Sequence, residues 1–148
     1  DCVDSFAARA VINYFAVRHR VPLVSGGTDA RAGQVAVYVP GRSACLDCVL
    51  GVEEAYAAEL AAESCRFAPD PSVIMTNQGV AGLMVSEARQ VLDPAGAPVL
   101  RQIKYDSLSP RRAGLDGSDY ACACTKPSAR EWVEDILARY PHARASHQ

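Results

Sequence analysis

The sequence predicts an α/β domain whose helix-and-strand order favours parallel pairing in its sheet. Three observations predict it. A helical pattern from Asp4 to Arg18 runs directly into the short apolar stretch Pro22 to Ser25, and a helix followed by a buried strand is half of a βαβ unit. Gly33 to Val39 alternates, with Val35, Val37 and Val39 on one face, which is the period of a strand. A long amphipathic pattern from Ser72 to Leu92 then gives way, after a turn, to a β-rich run from Val99 to Tyr105.

In the first helix Asp4 or Ser5 can serve as the N-cap, and Ala7, Ala10, Val11, Tyr14 and Val17 recur at helical spacing as its buried stripe. Pro22 disfavours helix in the residue before it, so Pro22 to Ser25 reads as a strand, with Gly26-Gly27 expected to stop it. Pro40-Gly41 ends the Gly33 to Val39 strand. Glu53 to about Ala62 is rich in Ala and Glu and reads as helix. After a loop containing Pro69 and Pro71, Ser72 can cap the long helix, whose core stripe is Val80, Leu83, Met84, Ala88 and Val91. Gly79 and Gly82 inside that helix cost stability, so they point to close packing against the sheet. Asp93-Pro94-Ala95-Gly96 is a turn, and the segment from Ser107 to Ala113 is expected to pair with the Val99 to Tyr105 strand. Ser128 caps a final amphipathic helix with Trp132, Ile136, Leu137 and Tyr140, and the tail from Ala143 to Gln148 is expected to fray.

The 148 residues are enough for one domain with a real core. Apolar residues make up 49% and charged residues 22%, and the formal charge is −2, with no basic block to neutralise nucleic-acid phosphates. Arg18-His19-Arg20 is the one dense cationic spot, and it falls where a helix end favours cations. No run of eighteen apolar residues suggests a membrane span. Asp1 and Asp4 stand where a secretory leader would carry positive charge, so the expected compartment is the cytoplasm. Asp1 opens the chain at the end of a presumed strand, and the expectation is a piece of a longer protein.

Six cysteines occur: Cys2, Cys45, Cys48, Cys65, Cys122 and Cys124. Zinc takes four soft ligands in a tetrahedron, and Cys45-x-x-Cys48 with Cys122-x-Cys124 supplies two short pairs from distant loops. Such a four-thiolate site is structural, because it leaves no open coordination position. The competing reading is two unrelated pairs of thiols. Cys65, flanked by Ser64 and Arg66 and shortly before a helix start, has features that lower a thiol's pKa and suit a nucleophile. By spacing alone, a lone cysteine is more often a small buried hydrophobe, and Cys2 fits that description better still. Asp1 and Asp4 close the presumed strand, where an acid can hold a nucleotide's magnesium, while an N-cap explains Asp4 equally well. Neither G-x-G-x-x-G nor G-x-x-x-x-G-K-[ST] is present, so the chain carries no phosphate-cradling loop of either type.

Several short motifs occur in register: Asp1-Cys2-Val3-Asp4-Ser5-Phe6, Arg9 and Asn13, Pro22-Leu23-Val24-Ser25-Gly26, Gly33-Gln34-Val35 and Cys45-Leu46-Asp47-Cys48. Together they resemble the C-terminal half of the ThiF/MoeB family, the ubiquitin-activating-enzyme-like adenylating proteins, across nearly the whole chain to Cys124. The resemblance implies the C-terminal half of a Rossmann-like α/β fold, a mixed sheet with flanking helices, over residues 1–126, with 127–148 as a C-terminal helix and tail. It implies attack by the C-terminal glycine carboxylate of a ubiquitin-like or sulfur-carrier β-grasp protein on ATP, in oligomers, usually dimers. Asp4 matches the family's magnesium-binding acid, and Arg9 and Asn13 match a signature supporting the nucleotide pocket. Cys45, Cys48, Cys122 and Cys124 match the zinc ligands, and Cys65 matches the cysteine that takes the acyl group or engages sulfur. The chain departs from the pattern at Ser5, where Asn is common, in the Cys-x-Cys spacing, and in the loop Phe67 to Pro71. The family's glycine-rich loop would lie upstream of Asp1, so the 148 residues alone are expected to be inactive. A non-catalytic partner subunit of the same fold, and an adenylating enzyme acting on a peptide or amino acid, are the alternative functions.

Overall fold

A computed structural model describes residues 1–62, 73–100, 102–106, 109–115 and 128–139. Helix α1 spans Phe6–His19 and ends at Arg20, a non-glycine residue in the left-handed region at φ 55°. Pro22 follows at once and prevents the helix from continuing. Strands β1 (Leu23–Thr28) and β2 (Ala32–Tyr38) form a hairpin. Two helices come next, α2 (Leu46–Leu50) and α3 (Val52–Ala62), then the long α4 (Ile74–Leu92). Strands β3 (Gln102–Asp106) and β4 (Ser109–Leu115) complete a sheet of order β1-β2-β3-β4, and α5 covers Ser128–Arg139.

Every pairing among these four strands is antiparallel. The parallel pairing expected of β1 therefore does not involve β2. The two are joined through Asp29-Ala30-Arg31, and a connection this short permits only antiparallel neighbours. Parallel geometry appears at the opposite edge of β1. The Asp1 nitrogen donates to the Val24 carbonyl at 2.6 Å, and the Gly26 N–H donates to the Asp1 carbonyl at 3.0 Å. That is the bond pair by which one residue, Asp1, bridges another, Ser25, in a parallel ladder. The segment entering α1 thus runs alongside β1 in the same direction.

Gly26-Gly27 does not stop β1 as expected. Both glycines lie inside the strand because neighbours crowd them. A Cβ on Gly26 would collide with the Met84 sulfur, and one on Gly27 would lie 3.4 Å from the Arg9 guanidinium. The chain reverses instead at Asp29, whose carboxylate accepts from the N–H groups of Arg31 at 2.9 Å and Ala32 at 2.6 Å.

Helices cover both sheet faces. On one, α4 packs Val80 and Leu83 against Val35, Val37 and Ile103, the stripe its 3.6-residue period predicts. On the other, Ala36 meets Ala7, Ala10, Leu46, Val52 and Tyr56, and α5 contributes Ile136 to the same cluster. Although α5 lies outside the 1–126 unit read from the sequence, it therefore shares that unit's core. Helix α4 begins at Ile74 after Val73, which makes no side-chain cap. The expected cap Ser72, the side chain of Trp132, Tyr140 and the C-terminal tail lie outside the described residues. Among the described residues, no helix is long and apolar enough to cross a membrane.

Candidate active site

The strand-end site is built on the first turns of α1. Ser5 is the N-cap, its hydroxyl accepting from the Ala8 N–H at 3.1 Å. A second acceptor comes from α3: the Glu59 carboxylate receives the N–H groups of Phe6 at 3.0 Å and Ala7 at 3.3 Å. Between them, Ser5 and Glu59 satisfy three of the helix's orphan donors. Asp4 is consequently not spent on capping, and its side chain is exposed just beyond the segment that runs beside β1. This is the carboxyl end of the parallel pair, where open α/β sheets bind their ligands.

Arg9 ties that end together. The residue is 7% exposed, and one guanidinium nitrogen donates to the carbonyls of Val3 at 3.1 Å and Gly26 at 3.2 Å. The first lies in the incoming segment and the second in β1, so a single guanidinium spans both. The Phe6 ring lies 5.9 Å from the guanidinium carbon. Burial pushes the Arg9 pKa down, with the neighbouring Cys2 opposing the shift, yet an arginine stays charged at physiological pH. Ser25, 1% exposed, donates from its hydroxyl to one Asp1 carboxylate oxygen at 3.1 Å. The other oxygen is buried without a hydrogen-bond partner, as is the Thr76 hydroxyl on α4.

Asn13, one turn beyond Arg9 on the same buried face of α1, contacts a different place. Its carbonyl accepts the Leu46 N–H at 2.9 Å, and its amide nitrogen donates to the Cys45 sulfur at 3.6 Å. The residue is thus set against the Cys45-Cys48 turn. Cys45 is buried at the N-cap of α2, and Cys48 is exposed one turn later. The two sulfurs stand at i and i+3, the spacing from which a pair of zinc ligands starts. Among the described residues, no group of three or more His, Cys, Asp or Glu side chains could hold a metal. Cys122 and Cys124, the other half of the expected set, lie outside the described residues, as does Cys65. Cys2, read as a small buried hydrophobe, is exposed, with its sulfur 3.8 Å from that of Met84.

Two side-chain contacts escaped sequence reading. Glu59 is one of several carboxylates on an Ala- and Glu-rich helix, and nothing local marks it as the cap of a helix 52 residues away in sequence. Gln102 donates to Gln34 at 2.5 Å across β2 and β3. Here the alternation of β2 with β3 could have signalled a cross-strand pair.

Comparison with known proteins gives this geometry a context. Protein HesA of Leptolyngbya boryana is 35% identical over 49 residues, covering 33% of this chain and 18% of HesA. The crystal structure of Escherichia coli MccB with succinimide superposes with a TM-score of 0.63 at 20% identity, covering 83% of this chain and 37% of MccB. MccB with AMPCPP and MccA gives a TM-score of 0.61 at 20% identity, over 82% of this chain and 38% of that one. The chain therefore spans well under half of the proteins it resembles, and its fold is that of the matching part of MccB. The ThiF family matches residues 1–126, most of the sequence. The chain belongs to the ThiF family.

Proposed function

We propose that this chain is the strand-end half of an ATP-dependent adenylating enzyme that activates the C-terminal carboxylate of a polypeptide. The observation that carries the reading is the coincidence of ThiF-family membership over residues 1–126 with an uncommitted acid at a strand end. Asp4 is left exposed there by the Ser5 cap, beside a segment held to β1 by Arg9. In the reaction, a carboxylate oxygen attacks the α-phosphorus of ATP, the bond to the bridging oxygen breaks, and pyrophosphate leaves an acyl adenylate. Magnesium, which neutralises charge as that bond forms, would be held through Asp4. Arg9 keeps the strand end in place and adds positive charge beside it. The Cys65 thiolate would then attack the acyl carbon, expelling AMP and leaving a thioester. The donor chemistry of Cys45 and Cys48, with Cys122 and Cys124, fits a structural zinc ion.

Two substrate classes present such a carboxylate. The motif resemblance favours a ubiquitin-like or sulfur-carrier β-grasp protein ending in glycine, the case that uses Cys65. The likeness to MccB, whose structures include one with AMPCPP and MccA, favours a peptide. The deciding experiment is ATP–pyrophosphate exchange by the full-length protein, offered either a carrier ending in Gly-Gly or a short peptide with a free C-terminus. Exchange with one of them, lowered about a hundredfold by Asp4→Asn, is expected, equivalent to about 2.7 kcal/mol of transition-state stabilisation. No exchange with either, or full exchange by the variant, refutes the assignment. A mass shift on Cys65 separates the carrier reading from the peptide reading.

A further inference from the structure

Helix α4 opens on amide groups that its own turns cannot match. The N–H groups of Ile74, Met75 and Thr76 precede the first carbonyl the helix can offer them. Val73 stands at the N-cap without a side-chain capping bond, and the first turn holds no acidic residue. The positive end of this 19-residue helix is thus not compensated by its own side chains. A second, independent feature lies in the same turn. Thr76 is 0% exposed, and its hydroxyl is buried without a hydrogen-bond partner. Such a hydroxyl costs free energy that valine, with nearly the same shape, would not. In a helix the Cα–Cβ bond tilts toward the N-terminus, so the Thr76 side chain is directed to the end where the unmatched N–H groups gather. Ile74 and Met75, 70% and 64% exposed, leave the rim of that turn open to solvent.

The turn is fixed at the carboxyl end of β1. The Thr28 hydroxyl, on the last residue of that strand, donates to the Asn77 side-chain carbonyl at 2.7 Å. Asp1 lies opposite Ser25 in the parallel pair, and Met84 meets both Cys2 and Gly26, one residue further along each segment. Two residues beyond these, Asp4 comes level with Thr28. The start of α4 and the strand-end acid therefore share one end of the sheet. An oxyanion entering the turn receives N–H and O–H donors together, the means by which helix N-termini hold phosphates and carboxylates. We propose that the first turn of α4 is an oxyanion-binding site. In it the Thr76 hydroxyl and the N–H groups of Ile74, Met75 and Thr76 hold either the polypeptide's carboxylate or the pyrophosphate released from ATP. Naming these two sources rests on the adenylation reading above; the binding of an oxyanion does not.

The test follows the amides of Ile74, Met75 and Thr76 by NMR in the full-length protein without nucleotide. Pyrophosphate, acetyl-Gly-Gly and the C-terminal amide of acetyl-Gly-Gly are titrated separately. Saturable shifts are expected with one or both anions and not with the amide, and the tighter anion identifies the source. Thr76→Val should weaken anion binding about tenfold, the effect of losing a hydrogen bond to a charged group, while Thr76→Ser restores it. Without ligand, Thr76→Val should melt at or above wild type, because it removes an unmatched hydroxyl; a purely structural Thr76 requires the reverse. No saturable shift with either anion, or equal shifts with the amide, overturns the assignment. So does wild-type anion affinity in Thr76→Val, or a lower ligand-free Tm for that variant. Pyrophosphate exchange tests the adenylation reading separately: if exchange fails while these amides still respond to an anion, that reading falls and the oxyanion site stands.

Discussion

Two glycines one turn apart on α4 should respond to the same substitution with opposite signs. Alanine is favoured over glycine inside a helix by about 0.8–1.0 kcal/mol, so each Gly→Ala change starts with that gain. At Gly82 nothing lies within 4 Å of the added methyl, and the gain should be kept. At Gly79 the methyl would sit 2.5 Å from the Tyr105 ring carbon that bears the hydroxyl, and 2.8 Å from two further Tyr105 atoms. Carbon atoms rest at about 3.5–4.0 Å, so the ring must retreat by about 1 Å. Tyr105 belongs to β3 and is packed, partly buried, against the cluster that contains Val80 and Ile103, so displacing its ring loosens the sheet–helix seam. Overpacking of this kind costs about 1–3 kcal/mol. The expected balance is a gain of about 0.5–1 kcal/mol for Gly82→Ala and a loss of up to about 2 kcal/mol for Gly79→Ala. Urea denaturation of both variants reads the difference as midpoints displaced to opposite sides of wild type, with unchanged slopes. Both midpoints on the same side would refute the reasoning, because the helix would then approach the sheet differently at Tyr105.

Other sites give further tests. Arg9→Met should cost about 2–3 kcal/mol, since it orphans the Val3 and Gly26 carbonyls after removing two charge-assisted bonds. A loss below about 0.5 kcal/mol in denaturant unfolding, the range of ordinary surface substitutions, would mean that the guanidinium does not clamp the strand end. Glu59→Ala should destabilise by about 1 kcal/mol, the usual worth of a helix cap, and should speed amide exchange at Phe6 and Ala7; unaltered exchange there would count against the cap. The Asp29 carboxyl is held below the usual carboxylate range, chiefly by the Ala32 N–H and next by that of Arg31. A depressed folded-state pKa stabilises above the unfolded value of about 3.9 and is lost as pH falls through the folded value. An NMR titration should find Asp29 protonating below the usual carboxylate range on acidification, and an ordinary titration would contradict the turn geometry.

Much of the architecture was legible because apolar spacing reports it. The α1 pattern read to Arg18 ends at His19, the β2 strand expected from Gly33 runs from Ala32, and the Val35, Val37, Val39 face does meet α4. What failed depended on long-range contacts. Gly26-Gly27 looks like a stop signal in sequence, but only Met84 and Arg9 explain why those positions must lack side chains. Helix α2 is five residues long, too short to show a period, and it is held by Asn13 from 33 residues away. The antiparallel β1–β2 pairing was hidden because the helix-then-strand pattern describes the edge of β1 that Asp1 occupies, not the edge that β2 occupies. At the site, motif spacing named Asp4, Arg9, Asn13 and Cys45, while their division between two places required coordinates.

That division has a physical basis in α1. Arg9 and Asn13 are four residues apart, so they project from one face at an axial offset of about 6 Å. One faces the strand end and the other the cysteine turn. Ala7 and Ala10 on the same helix are small enough to bring its backbone close to Ala36 and Val52, and that closeness lets two polar side chains reach across to other elements. A helix face built only for packing would carry larger apolar groups here, since buried polar groups add little net stability even when fully bonded. The retention of a guanidinium and an amide in this seam is therefore better explained by what they hold, a strand end and a sulfur, than by the stability of the core.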